Sequence, residues 1–97
     1  MNDKLKTPDV DDLFKAVLSL ETVDDCYDLF EDLCTIAEIR EMAKRLKAAK
    51  MLAAGKKYAE ICDVTGLSTA TISRVNRSLK YGSDGYVKVL EKISHAE

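Results

Sequence analysis

Thr69, Ala70, Ser73, Arg74 and Arg77 fall on one side of a helical segment, and their side chains are of kinds that meet nucleic acid. A short hydroxyl or methyl reaches a base edge or a thymine methyl, and a guanidinium pairs with phosphate or with guanine. On the other side Ile72, Val75 and Leu79, spaced three and four apart, form an apolar stripe. Lys56, Lys57 and Lys80 add cations that attract phosphate whatever the base sequence. With Ser68 and Thr71 at the start of the segment, the candidate DNA contacts are Lys56, Lys57, Ser68, Thr69, Ala70, Thr71, Ser73, Arg74, Arg77 and Lys80.

The elements that position these groups lie between Lys57 and Lys80, in KYAEICDVTGLSTATISRVNRSLK. Tyr58 to Val64 forms a first short helix, with Ile61 facing the core and the small Cys62 beside it. Gly66 permits the sharp turn, because glycine alone takes positive φ without steric cost. Leu67 points back inward, and Ser68 or Thr69 caps the second helix by accepting a free backbone N–H. This is a helix-turn-helix. An ordinary helical hairpin with a solvated basic face is the plainer alternative. It accounts for the arginines, but not for the small residue before the turn or the G-L-S-x-x-T-I-S-R run.

Ninety-seven residues make one domain, read as spanning residues 1–97, with the helix-turn-helix at about 57–80. The net charge of −2 hides a segregation. Residues 1–39 carry three basic and eleven acidic side chains, a balance of −8, whereas residues 40–80 carry ten and three, a balance of +7. Residues 81–97 carry two and three. Phosphate responds to the local basic surface, not to the total. A basic stretch that pairs with the acidic half of a second copy would show the same division. No transmembrane run or signal-peptide core is present, so the expected location is the cytoplasm. Cys26, Cys34 and Cys62 lack paired metal spacing and read as reduced, small core residues. No metal or cofactor is expected. His95 has no catalytic partner in view, and no nucleophile–base pair stands at useful spacing, so an enzyme is not expected.

Around this centre the chain reads as helical throughout. Pro8 opens a helix to Leu20, with Val10, Leu13, Phe14, Val17 and Leu18 inward. Thr22 caps a second, whose apolar face is Val23, Cys26, Tyr27, Phe30 and Leu33. The acids along it read as a solvated face. Thr35 and Glu38 form a capping box that opens the longest helix, Thr35 to Ala54, closed by Gly55. Ile39, Met42, Ala43, Leu46, Ala49, Leu52 and Ala53 line its apolar side. Asp84 or Ser83 caps a last helix with a broad apolar face that includes Tyr86, Val87, Val89, Leu90 and Ile93. Six helices with no strand make an all-α fold. The apolar faces of the first, second and last helices exceed what one small domain hides, which points to a dimer.

LCTIAEIREMAKRLKAAKMLAAGK, then EICDVTGLSTATISRVNRSLK, and above all the run from Ala70 to Lys80 resemble the Trp repressor family, in particular its small bacterial relatives. The resemblance implies a six-helix, intertwined homodimer that presents two helix-turn-helix heads to successive major grooves. Their half-sites would lie roughly 34–36 Å apart, a spacing taken from dimers of this type, the Trp repressor among them. It also implies an effector site: Thr35, Arg45, Arg74 and Ser78 match positions that surround tryptophan in the repressor. Two arginines can sandwich an aromatic ring or hold a carboxylate. Yet Val75 stands where the repressor has glycine and takes the space the ring needs, and Asn76 and Arg77 replace small or neutral residues. Whether an effector binds stays open, tryptophan itself is disfavoured, and phosphate or partner carboxylates are the other acceptors for the two arginines.

The expected function is that of a dimeric, sequence-specific regulator of transcription, a repressor, with double-stranded DNA as its partner and no membrane association. One alternative is a ligand-dependent repressor that senses an amino acid or related metabolite. Another is a protein-interaction module that keeps the fold alone.

Overall fold

A computed structural model describes residues 2–96, with side chains described through Ser94. His95, considered above as a catalytic group, lies outside the residues whose side chains are described. Six helices follow one another: α1 (Pro8–Leu18), α2 (Val23–Leu33), α3 (Ile36–Ala53), α4 (Tyr58–Thr65), α5 (Thr69–Tyr81) and α6 (Gly85–Ala96). No strand occurs among the described residues. The chain divides into two compact units, Met1–Ile39 and Arg40–Glu97. The division falls where the charge changes sign.

In the first unit the helix starts are set by local chemistry. Thr7 accepts the Val10 amide at 3.1 Å and Pro8 takes the first turn, where a missing N–H costs nothing. Thr22 accepts the Asp25 amide at 3.0 Å, and the Asp25 carboxylate in turn accepts the Thr22 amide at 3.3 Å. Thr35 and Glu38 close the same reciprocal box, at 3.1 and 2.9 Å, to start α3. α1 ends at Leu18, two residues before the sequence-predicted end. The Ser19 hydroxyl donates to the Ala16 carbonyl at 2.6 Å, a local bond that competes with helix continuation.

Neither α1 nor α2 buries a single residue fully. Leu18 is 83% exposed, Val23 71% and Tyr27 62%, although all three were expected to face a core. Cys26 is exposed as well and Cys34 is half-buried, so of the three cysteines expected in the core only the half-buried Cys62 packs against it. The periodicity identified an apolar face correctly, but the fold of one chain leaves that face open.

The second unit holds the core. Ala48 and Ala49 of α3, Ile61 of α4, Leu67 of the turn, and Ile72 and Val75 of α5 are buried together. Met51, Leu52, Tyr58, Cys62, Tyr86 and Leu90 pack against them. The buried side of α3 therefore differs from the expected one: Ala48 belongs to it, whereas Met42, Ala43 and Ala53 are exposed. Gly55, at φ 79°, ends α3 in a double-bonded C-terminal turn, with its own amide on the Leu52 carbonyl and the Lys56 amide on that of Met51. At α6 the expected side-chain cap is absent: neither Ser83 nor Asp84 caps the helix through its side chain among the described hydrogen bonds. Instead Asp84 adopts a left-handed φ of 65°, and its carbonyl accepts the Lys88 amide at 3.0 Å.

Candidate nucleic-acid interface

α4, the turn and α5 are built from the residues the sequence singled out. α4 ends at Gly66, whose φ of 73° turns the chain, and the Gly66 amide donates to the Cys62 carbonyl at 2.8 Å. Just before it, Thr65 is a buried polar residue with both its bonding directions used. Its hydroxyl donates to the Ile61 carbonyl at 2.7 Å and accepts the Leu67 amide at 3.1 Å. One side chain thus ties the end of α4 to the residue that turns into the core. Leu67 then buries, and Ser68 caps α5 by accepting the Thr71 amide at 3.1 Å.

With Ile72 and Val75 in the core, helical geometry places the opposite side of α5 in solvent. Thr69, Ala70, Ser73, Arg74, Arg77 and Lys80 are all exposed there, and Lys56 and Lys57 are exposed in the loop before α4. Two candidate contacts are partly engaged already. The Ser68 hydroxyl donates to the Thr71 oxygen at 3.1 Å while it caps the helix, and Thr71 is half-buried. Their first task is to hold the start of α5. α5 has no acidic residue in its first turn, so nothing there offsets the positive helix end that favours phosphate.

Three of the four candidate effector residues come together in the second unit. Arg45 of α3, Arg74 and Ser78 of α5, with Thr71 and Val75, line a small cleft together with Tyr86 of α6. Arg45 pairs with Glu41 one turn earlier, Nε to Oε1 at 3.5 Å, and that Nε makes no hydrogen bond among the described residues. Thr35 lies in the first unit, where it caps α3. Tyr86 is the site residue that the sequence did not single out. It counted only as part of an apolar face, because nothing local shows which neighbour α6 packs against.

Among the described residues no group of three or more His, Cys, Asp or Glu side chains could hold a metal ion. No described helix is long and apolar enough to cross a membrane.

The model of the Trp repressor protein family matches residues 8–94. The chain belongs to the Trp repressor family. That family is one of DNA-binding transcription regulators, not of enzymes. The uncharacterised Bacillus subtilis protein YerC is 48% identical over 95 residues, which cover 98% of this chain and 91% of YerC. The crystal structure of a TrpR-like protein from Eubacterium eligens superimposes with a TM-score of 0.92 at 55% identity, covering 96% of each chain. A solved Staphylococcus aureus structure gives the same TM-score at 46% identity, over 97% of this chain and 95% of that one. The all-α, Trp-repressor-like fold expected from the sequence is the fold observed.

Proposed function

We propose that this chain is a sequence-specific DNA-binding transcription regulator, a repressor, that acts in the cytoplasm as a homodimer through the α4–turn–α5 helix-turn-helix. The observation that carries the reading is the outer face of α5. Thr69, Ala70 and Ser73 stand exposed at its start with Arg74 and Arg77 behind them, on a helix whose inner face is locked by Ile72 and Val75. Short side chains near the helix N-terminus suit base edges, and the arginines with Lys56, Lys57 and Lys80 suit the phosphates on either side.

The open apolar face of α1 and α2 supports a dimer. Leu13, Phe14, Leu18, Val23, Tyr27 and Leu33 are exposed on two helices with no buried residue, and a second copy would cover such a surface. Two reading heads on one dimer would then address an inverted repeat.

The test is selection of bound duplexes from a random pool by the purified protein with no added ligand. An enriched inverted repeat with half-sites one helical turn apart supports the proposal. Indifference to all duplexes at low salt overturns it and favours a protein-interaction role for the acidic first unit.

A further inference from the structure

The cleft that brings Arg45 and Arg74 together is half open and is lined as well by Val75 and Tyr86 of this same chain. Its volume is about 60 Å³. A water molecule takes about 30 Å³, whereas a cavity that seats benzene measures about 150 Å³. The space between these side chains is smaller than an aromatic metabolite needs, and a wider hollow of about 600 Å³ adjoins it across Ser78 and Tyr86.

Two walls limit it. Val75 is 3% exposed and part of the core, so it cannot swing aside without opening that core. Tyr86 is half-buried against the same core and reaches the cleft from the second position of α6. The connection before it is narrowly defined. At Gly82 a Cβ would run into the Ser78 carbonyl oxygen, and Asp84 holds a left-handed φ, which aspartate adopts more readily than most residues. Both features lie in the four residues that deliver Tyr86 to α5.

We propose that Tyr86 is a positioning residue for the reading helix. Its ring, with Val75, takes the space between the two guanidiniums, so the chain itself holds α5 and DNA binding needs no bound metabolite. A ring beside two cations is also electrostatically apt, since the aromatic face attracts guanidinium. The inference rests on the DNA-binding reading of α5 and adds how that helix is held.

The test compares wild type, Tyr86→Phe and Tyr86→Ala on the duplex that wild type selects, with and without 4-methylphenol, a free copy of the tyrosine side chain. Tyr86→Phe keeps the ring and should bind as wild type does. If α5 is competent only a tenth of the time without the ring, Tyr86→Ala should bind about tenfold more weakly. Added 4-methylphenol should restore that affinity and leave wild type unchanged, an outcome that general destabilisation would not give. Unchanged binding by Tyr86→Ala overturns the proposal, as does wild-type binding that rises on adding an aromatic amino acid. A second arm needs no DNA: 4-methylphenol should raise the melting temperature of Tyr86→Ala and not that of wild type. If no duplex is selected at all, the DNA-binding reading fails on its own, and absence of that thermal shift removes the role of the ring as well.

Discussion

The Thr65 side-chain oxygen accepts the backbone amide of Leu67 at 3.1 Å, across the glycine that turns the chain between α4 and α5. The same hydroxyl donates to the Ile61 carbonyl, so its proton and a lone pair both serve the turn. Thr65→Val keeps the shape but leaves a buried amide without a partner, which costs about 1–3 kcal/mol. For a domain of this size that is a fall in melting temperature of roughly 4 °C or more. Thr65→Ser, which retains the hydroxyl, should lose much less. Thermal melts of the three proteins check this. Equal stability of Thr65→Val and wild type would mean that the Leu67 amide finds another acceptor.

Gly66 and Gly82 should respond to alanine for different reasons. At Gly66 a Cβ meets no atom within 4 Å, so the penalty is that of a left-handed φ alone, about 1–2 kcal/mol. At Gly82 the φ is ordinary, but the new Cβ runs into the backbone carbonyl of Ser78, which cannot rotate away. Gly82→Ala should therefore be the more destabilising of the two in urea titration, and Gly66→Asn should be milder than Gly66→Val. The reverse order would mean that the left-handed torsion at Gly66 outweighs the collision at Gly82.

Much of this was legible because it is local. Thr22, Thr35 with Glu38, Ser68, Gly55 and Gly66 act within four residues of themselves, and each does what its type and position foretold. The outer face of α5 was legible for a related reason, since Ile72 and Val75 fix it by period alone. What escaped depends on neighbours distant in sequence. Ala48 gives no signal in a helix rich in alanine, yet it is fully buried. Tyr86 looked like any apolar-face residue until α6 was placed against α5. The face of α1 and α2 was read as apolar and as more than one small domain hides, but which of its residues stay open was not legible, because periodicity reports which side is apolar and not what lies against it.

Glu38 links the start of α3 to pH. Its carboxyl is held below the ordinary glutamate value, chiefly by the Thr35 backbone amide and then by the Thr35 side chain, with burial opposing only slightly. A group whose acidity is raised on folding stabilises the fold above its unfolded value, about 4.3 for glutamate, and loses that contribution as the pH falls through the folded value. Melting temperature should therefore decline on acidification below about pH 4.3 by more in wild type than in Glu38→Ala, which lacks the group. Parallel pH profiles for the two proteins would show that the capping box contributes nothing that titrates.

Lys57 and Thr69 should separate affinity from preference. Lys57 is exposed before α4, and its ammonium makes no hydrogen bond or ion pair among the described residues, which leaves it to serve phosphate. Lys57→Ala should weaken binding to every duplex alike and reduce the slope of log affinity against log salt by about one. Thr69 opens α5 with its hydroxyl and methyl exposed and no hydrogen bond among the described residues. Thr69→Ala should leave the salt slope as it was and change which base is favoured at one position of each half-site, by less than the roughly 1–3 kcal/mol of a bidentate contact. Titrations at several salt concentrations, on the selected duplex and its single-base variants, measure both. A change of slope with Thr69→Ala and of preference with Lys57→Ala would interchange their roles and move the reading face off the start of α5.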